Sequence, residues 1–341
     1  MWSVLIPKEM EIVHPLPPGV RAVYYEVKKR SARNKLGKKL GIVNPAVCLS
    51  EKIYFDTRNG TLDDVRALWL SSSVALSRRE TEELLAALPR LQWVYSQRSG
   101  TDHLQLDCFK KRSVQLSNTG SLVAAWVAQM NLACILSHAK RIPLHIDRRR
   151  RRKPAPLFCD DFTDQTVVIL GTGNIGAETA KLCQAVGMNV VGLSRSRARI
   201  SWPAHFDAIC DIGTSLPEAL AEADYLVVAL PQTRDTLGLI NSEKMALLKH
   251  SACIVNLARP QIVEERAMLN CLKTGKLAAA YVSGLQNVSR LDNFRAARLP
   301  GLVVTHYSEA HLQKKDELAF KQFFTNLDRL RNGREIECRI L

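Results

Sequence analysis

The first residues that point to chemistry are three glycines spaced as G-x-G-x-x-G, at Gly171, Gly173 and Gly176. An apolar segment precedes them and helical spacing follows, which is the context that this motif requires. In such a loop the first glycine permits a tight turn, the second lets a pyrophosphate approach the backbone, and the third lets helix and strand pack closely. The alternative is a nucleotide-type sheet that binds no ligand. We expect a dinucleotide at a loop made of Gly171, Gly173, Asn174, Ile175 and Gly176.

The residues after the next apolar segment bear on which dinucleotide binds. That segment is followed by Ser194, Arg195, Ser196 and Arg197, with no Asp or Glu at its end. A carboxylate at this place binds the free ribose 2′-hydroxyl of NAD, whereas guanidinium groups suit the 2′-phosphate of NADP. We therefore expect NADP(H) to be favoured over NAD(H). The alternative is a solvated basic turn.

A parallel sheet is expected to position these residues. Beyond residue 165, apolar segments alternate with helix-like spacers, which is typical of a doubly wound α/β fold. Further helices are predicted over Arg79–Leu88, the apolar Leu122–Leu136 and the amphipathic Asp316–Arg331. The predicted strands are Val4–Ile6, Val20–Val27, Val65–Leu70, Leu91–Tyr95, Thr166–Leu170, Asn189–Leu193, Asp207–Cys210, Tyr225–Ala229, Ala252–Asn256, Ala278–Val282 and Leu302–Thr305.

Length and composition exclude several classes of protein. The chain has 341 residues, enough for two domains, and its 46% hydrophobic and 24% charged residues exclude a disordered or fibrous chain. No apolar run is long enough to predict a membrane span, and no secretory signal is visible. The nine cysteines are odd in number and contain no C-x-x-C pair, so we expect neither a metal site nor disulfides. That pattern favours a reducing intracellular compartment, cytoplasmic or mitochondrial.

The chain is strongly basic, with a net charge of +15 that favours an anionic partner. Cations are concentrated in Lys28–Lys39, in Lys110–Arg112 and before Lys153. They are interpreted either as solvated loops or as a surface that binds a polyanion such as RNA through its phosphates. Aromatic residues do not interleave with them, so no stacking platform is expected. The densest run consists of Arg148, Arg149, Arg150, Arg151 and Arg152.

In their order and spacing, several short motifs together resemble the D-isomer-specific 2-hydroxyacid dehydrogenases. The resemblance implies two Rossmann-like domains with an active-site cleft between them, and usually a homodimer formed through the nucleotide domain. It implies a substrate domain over 1–118 plus 308–341 and a dinucleotide domain over 119–307. The motifs are Ser99–His103, Asn118–Gly120, Ala128–Gln129, Gly171–Gly176, Leu230–Thr236, Asn256–Arg259, Gly275–Ala278, Leu299–Pro300 and Phe324–Leu327.

The resemblance also implies roles for individual residues in hydride transfer between a nicotinamide and a small 2-keto or 2-hydroxy acid. Arg259 corresponds to the arginine that pairs with the substrate carboxylate and polarises its carbonyl. The backbone at Ser99 and Gly100 would hold the other side of that carboxylate. Further cofactor contacts would come from Leu230, Pro231, Thr236, Ala258 and Ser283.

The chain departs from the family where protons are handled. Counted without gaps, the family's catalytic glutamate falls on Val288 and its histidine on Tyr307. Its nicotinamide-positioning aspartate falls on Ser283, and the glycine after the arginine has become Pro260. A one-residue deletion would instead supply His306 as the proton donor. A phenol with a pKa near 10 is a poor proton reservoir at neutral pH, so the sequence predicts a degraded active site.

Three hypotheses follow from these residues. The first is a dinucleotide-binding pseudoenzyme with a binding or structural role. The second is an active NADPH-dependent reductase of glyoxylate or hydroxypyruvate, with Tyr307 or His306 as proton donor. The third is a basic structural or RNA-binding subunit of a large assembly, such as a mitochondrial ribosome, with no dinucleotide function.

Overall fold

The protein divides into two compact units, Met1–Leu122 with Gln313–Leu341, and Val123–Leu312. The computed structural model describes residues 2–7, 16, 18, 20–27, 46–48, 53–56, 62–71, 74–101, 103–153, 155–195, 204–285, 299–305 and 315–341. Each unit contains its own β-sheet, and helices connect most of the parallel strands. The expectation of an α/β fold with parallel sheets is therefore confirmed.

The first unit contains a seven-stranded sheet in the order β3-β4-β2-β1-β5-β6-β7. Five of its strands pair in parallel, whereas β4 runs antiparallel to both β2 and β3. The sequence did not predict the short strands β3 and β4, nor β7. The strands are β1 Trp2–Pro7, β2 Val20–Val27, β3 Ala46–Cys48, β4 Ile53–Asp56, β5 Val65–Leu70, β6 Trp93–Ser96 and β7 Gln115–Asn118.

Helices α1 (Arg78–Ala87), α2 (Leu106–Lys111) and α9 (Lys315–Arg331) belong to the same unit. α1 begins with a capping box, in which Ser77 and Glu80 satisfy each other's backbone N–H groups. The apolar face of α9 packs on the sheet through Ala319, Phe323 and Leu327, which are wholly buried. The helix expected over Asp316–Arg331 therefore packs on the N-terminal strands, as predicted.

An aromatic cluster forms the core beneath α9. The ring of Phe323 stacks on Trp93 with centroids 4.8 Å apart and also contacts Trp69 and Tyr95. Burial raises the pKa of the Tyr95 phenol, whose O–H donates to the side chain of Gln322 over 2.8 Å. Aromatic pairs of this kind add roughly 0.5–1.5 kcal/mol each beyond the area they bury. The C-terminal helix is thus fixed to this unit.

The second unit contains a sheet whose seven strands, in the order β10-β9-β8-β11-β12-β13-β14, all pair in parallel. The central strands of this sheet are buried on both faces, as expected of parallel strands covered by helices. They are β8 Thr166–Leu170, β9 Asn189–Ser194, β10 Ala208–Asp211, β11 Tyr225–Val228, β12 Cys253–Asn256, β13 Ala279–Val282 and β14 Leu302–Val304. The helices are α3 Gly120–Ala139, α4 Ile142–Arg150, α5 Asn174–Ala185, α6 Leu216–Glu222, α7 Ser242–Leu247 and α8 Glu265–Thr274.

The apolar helix α3 is longer than the sequence pattern predicted. By length and composition alone, its segment Leu122–Ala139 is able to cross a membrane. The segment has a mean hydropathy of 1.4, and 44% of it is buried inside the protein. Part of the helix belongs to the core of the second unit, because Cys134, Ile135 and Ala139 are buried there. The amide of Asn131, also buried, donates to the hydroxyl of Thr179 on α5 over 3.0 Å. These contacts are those of a core helix.

Candidate dinucleotide site

The glycine loop lies between β8 and α5. Gly171 has φ +99°, and a Cβ there would lie 2.8 Å from the carbonyl oxygen of Ala229, so both conformation and space select glycine. A Cβ at Gly176 would overlap the carbonyl oxygen of Gly171. At Gly173, by contrast, a Cβ would meet nothing within 4 Å. The loop thus packs tightly against its own sheet and leaves open space at its middle glycine.

The start of α5 faces that open space with free donors. Gly173 is the N-cap residue, and no side chain caps the first turn. The N–H groups at an uncapped helix start bind anions, helped by the positive end of the helix dipole. The residues present therefore fit a pyrophosphate. Asn174, Ile175 and Gly176 would bind it through their backbone.

The loop after β11 forms a second wall of the site and is ordered by one threonine. Thr236 is 4% exposed, and its hydroxyl donates to the carbonyl of Pro231 over 2.7 Å. The same hydroxyl accepts from the N–H of Thr233 over 2.8 Å. Leu230 contacts the glycine loop, since its side chain would lie 3.2 Å from a Cβ at Gly171. Leu230, Pro231 and Thr236 therefore belong to a segment that lies next to the glycine loop. The hydroxyl of Thr236 orders the backbone of its own loop and does not face open space.

Asn256, the last residue of β12, holds the loop that carries Arg259. Its amide group donates to the carbonyl of Arg259 over 3.1 Å, and its amide oxygen accepts from the N–H of Ala258 over 3.2 Å. Arg259 precedes a single 3₁₀ turn that begins at Pro260, a position that tolerates proline. Ser283 follows β13 and donates its N–H to the carbonyl of Asn256 over 3.2 Å. Asn256 thus links both loops, a role that the sequence did not assign.

The end of β9 carries Arg195, which the sequence assigned to the 2′-phosphate of NADP. Its guanidinium donates to the carboxylate of Asp235 over 2.7 Å, and both side chains are exposed. Asp235 comes from the loop after β11 and not from the end of β9, so the residues next to Arg195 in sequence do not reveal it. Ser196 and Arg197 lie outside the described residues.

The loop that would hold a substrate carboxylate follows β6 in the first unit. The amide of Asn118 donates to the carbonyl of Ser99 over 2.6 Å, and its amide oxygen accepts from the N–H of Gly120. Ser99 and Gly100 are partly buried. His103, which follows this loop, is 8% exposed, and its Nε2 lies 3.0 Å from the hydroxyl of Ser96. It is therefore a buried residue and not a surface histidine.

The first three residues of the arginine run, Arg148–Arg150, form the end of a helix, and Arg151 and Arg152 lie in the turn that follows it. Ile142–Arg150 is helical, starts with a proline in its first turn and contains no buried residue. Arg151 pairs with Asp147 one turn earlier, over 2.9 Å. The interpretation of the run as a loop is wrong for Arg148–Arg150, because arginine is a good helix former and proline is tolerated in a first turn. The five arginines, including Arg148, Arg149, Arg150 and Arg152, are partly or fully exposed.

The residues that the family resemblance connects with acid–base chemistry, Val288, His306 and Tyr307, lie outside the described residues. Thr305 is the last described residue before His306 and Tyr307, and its N–H donates to the carbonyl of Val282 over 2.9 Å.

Within the described residues, no group of His, Cys, Asp and Glu side chains is arranged to hold a metal ion. Burial raises the pKa of the Cys183 thiol to about 12, and this cysteine is a small residue of the core.

The strand order brings most of the predicted cofactor residues to one edge of the sheet. The carboxyl ends of β9, β8, β11, β12 and β13 are consecutive along it, and they carry the loops described above. Ligands of open parallel sheets bind at this edge. Comparison with known proteins agrees. Residues 132–307, just over half of the chain, match the NAD-binding domain of the D-isomer specific 2-hydroxyacid dehydrogenases.

The chain belongs to this family. A glyoxylate reductase of Thermococcus kodakarensis is 30% identical to this dehydrogenase-family chain over 217 residues, which is 60% of this chain and 63% of the relative. The glyoxylate reductase/hydroxypyruvate reductase of Homo sapiens is 30% identical over 200 residues, 57% of this chain and 60% of the relative. The chain thus matches less than two thirds of the length of these relatives.

Solved structures share the fold of this family member over its whole length. A D-isomer specific 2-hydroxyacid dehydrogenase from Xanthobacter autotrophicus Py2, in complex with NADPH and MES, superposes with a TM-score of 0.74 at 21% identity. It covers 100% of this chain and 98% of the other. A probable 2-hydroxyacid dehydrogenase from Rhizobium etli CFN 42, in complex with NADP, HEPES and tartaric acid, gives 0.76 at 17% identity, with 100% and 98% covered.

Proposed function

We propose that this chain binds NADP(H) at the glycine loop and has lost most of the family's catalytic power, so that it acts by binding. The observation that carries the proposal is a mismatch. The loop geometry of the nucleotide site is retained, whereas Val288 and Tyr307 stand where the family resemblance expects glutamate and histidine. The pocket would therefore hold a dinucleotide without an efficient proton donor.

The retained residues define what the site would do with a small 2-keto acid. The bound nicotinamide would supply a hydride. Arg259, held by Asn256, would pair with the substrate carboxylate. The family resemblance assigns the N–H groups near Ser99 and Gly100 to binding of a substrate carboxylate. Tyr307 would offer a hydrogen bond to the keto oxygen but would release its proton poorly, and Val288 has no group to orient a proton donor.

A turnover assay tests this proposal. Purified protein is mixed with NADPH and glyoxylate or hydroxypyruvate, and Arg259→Ala serves as the control. We expect turnover well below about 1 s⁻¹, the lower end of ordinary enzymes. Faster turnover that disappears in Arg259→Ala would refute the proposal that the chain has lost most of its catalytic power.

A gain-of-function variant sharpens the assay. Because general acid–base catalysis contributes a factor of about 10²–10⁴ in rate, we expect Val288→Glu combined with Tyr307→His to raise turnover by up to about that factor.

The second candidate function is that of an active reductase, which the glyoxylate reductases among the relatives favour. It predicts instead that Tyr307→Phe or His306→Gln abolishes a substantial wild-type rate, which identifies the donor.

A further candidate function is binding of RNA through the basic end of α4. Arg149, Arg150, Arg152 and Lys153 are exposed, and α4 buries none of its side chains in the described structure. Contacts to phosphates weaken as salt rises. We expect neutralisation of Arg149, Arg150 and Arg152 to glutamine to lower RNA affinity and flatten its salt dependence. Neutralising three dispersed cations, Arg79, Arg90 and Lys321, is the matched control, and an equal loss there would exclude a specific surface.

Two accompanying proposals concern assembly and location. We propose a homodimer formed through the nucleotide domain, as is usual in the family, which sedimentation of the purified protein tests. The odd number and scattered spacing of the cysteines support a reducing intracellular compartment, cytoplasmic or mitochondrial, and a role in a mitochondrial ribosome would require the mitochondrial one. Fluorescence microscopy of the tagged full chain tests the compartment.

A further inference from the structure

The ion pair between Arg195 and Asp235 joins two loops that no continuous stretch of sequence connects. Arg195 follows β9, and Asp235 belongs to the loop after β11. Their side chains meet at 2.7 Å, with 56% of the Arg195 side chain and 72% of the Asp235 side chain exposed. Neither side chain is buried by the pair, so the contact contributes little to holding the fold together.

The position of the pair is set by the sheet. β9 and β11 are the two neighbours of β8, with Leu170 of β8 opposite Leu193 of β9 and Val228 of β11. Since neighbouring strands lie about 4.8 Å apart, the two loops are separated by roughly twice that spacing, a distance that an extended arginine spans. The pair therefore lies beside the glycine loop, at the edge where a dinucleotide would bind.

Asp235 is presented by a rigid turn. The buried hydroxyl of Thr236 bonds to both Pro231 and Thr233, and the N–H of Leu237 donates to the carbonyl of Thr233 over 3.1 Å. The backbone on both sides of Asp235 is therefore ordered. This ordered backbone positions the carboxylate of Asp235 next to Arg195.

We propose that Asp235 sets the cofactor preference of this site by competing with the 2′-phosphate of NADP(H) for Arg195. A phosphomonoester carries more negative charge than a carboxylate and binds a guanidinium in a bidentate fork, so it displaces Asp235. The displaced carboxylate then faces the phosphate and repels it. NADH has no 2′-phosphate and leaves the pair intact. The inference rests on the proposed dinucleotide site and names the residue that tunes it.

The experiment measures binding of NADPH and NADH to the full chain by nicotinamide fluorescence. Asp235→Asn removes the competing charge while keeping the size of the side chain. Because an exposed ion pair contributes up to about 1 kcal/mol, we expect this variant to bind NADPH about two- to fivefold more tightly, with NADH affinity unchanged. Raising the salt concentration should shrink the difference.

Two controls separate this effect from general charge. Asp164→Asn makes the same charge change at an exposed residue before β8, at the opposite edge of the sheet, and should leave both affinities unchanged. Arg195→Gln should weaken NADPH about tenfold or more while sparing NADH, because it removes a charge-assisted bond. In the Arg195→Gln background, Asp235→Asn should increase NADPH affinity less than it does when Arg195 is present. Only the repulsion between the carboxylate and the phosphate is then left to remove.

The outcomes distinguish failure of the competition for Arg195 from failure of the proposed dinucleotide site. If the wild type binds both dinucleotides but Asp235→Asn leaves the NADPH-to-NADH ratio unchanged, the competition is refuted and the dinucleotide site stands. An equal gain in Asp235→Asn and Asp164→Asn would also refute it, since the effect would then be general electrostatics. If neither dinucleotide binds the wild type, the proposed function fails and this inference fails with it.

Discussion

The three glycines of the nucleotide loop should respond differently to the same substitution by alanine. At Gly173 a Cβ meets nothing within 4 Å, and the φ of −72° is allowed for any residue. At Gly176 a Cβ overlaps the carbonyl oxygen of Gly171, which belongs to the backbone and cannot swing aside. Alanine at Gly176 therefore strains the protein, whereas alanine at Gly173 affects only what approaches the loop from outside.

The expected magnitudes follow from these contacts. Overpacking costs roughly 1–3 kcal/mol, and because the clash at Gly176 is with backbone, we expect the upper part of that range. For a unit of this size, 1 kcal/mol lowers the melting temperature by about 2–4 °C, so Gly176→Ala should melt about 4–12 °C lower. Gly173→Ala should melt within about 2 °C of the wild type, because surface substitutions usually change stability by less than about 0.5 kcal/mol.

Two measurements on the same samples test this prediction. Circular dichroism gives the melting curves, and nicotinamide fluorescence gives dinucleotide affinity at 25 °C, where both variants are folded. Gly173→Ala should lose NADPH binding with an unchanged melting curve, because its methyl group occupies the space that the pyrophosphate needs. Unchanged affinity in Gly173→Ala would show that no phosphate approaches the loop there. A wild-type melting curve for Gly176→Ala would refute the packing argument itself.

Three other perturbations probe packing and charge elsewhere in the chain. Asn256→Ala should lower the free energy of unfolding by about 1–3 kcal/mol in urea titrations, because it removes the partner of the Ala258 N–H and the Arg259 carbonyl. Tyr95→Phe should cost about 0.5–1.5 kcal/mol by the same measurement, through loss of the bond to Gln322. Burial lowers the pKa of His138 to about 4, so the unfolded chain binds a proton that the folded chain excludes. Stability should therefore fall as pH drops from about 6.5 toward 4, and His138→Gln should flatten this slope in melts across that range.

Regular, buried elements were predictable from sequence because their periodicity is local. The bounds expected for β5 and β8 agree with the structure residue for residue, and β13 begins one residue later than expected. The unpredicted strands β3 and β4 are short and lie at the sheet edge, where antiparallel pairing leaves a weak pattern. The arginine run was expected as a loop because charge density obscured its helical propensity.

Single polar residues were less predictable, because burial depends on contacts distant in sequence. His103 is buried against Ser96, and nothing in the neighbouring residues distinguishes it from a surface histidine. Asn256 belongs to a motif that the sequence revealed, but its role of holding Ala258 and Arg259 became visible only from the loop geometry. The sequence motifs therefore predicted which loops belong to the candidate site, whereas the structure shows which side chains order those loops.

The cofactor-binding edge illustrates why charge has to be counted in space. The absence of an acid after β9 favoured a phosphate there, yet β11 lies one strand beyond β8 and brings Asp235 to the same guanidinium. An arginine already paired with a carboxylate presents less net charge to a phosphate than a lone arginine does. Under the competition that we propose, the choice between NADP(H) and NAD(H) depends on Arg195 and Asp235 together. In open parallel sheets, the loop two strands away therefore belongs in any argument about cofactor choice.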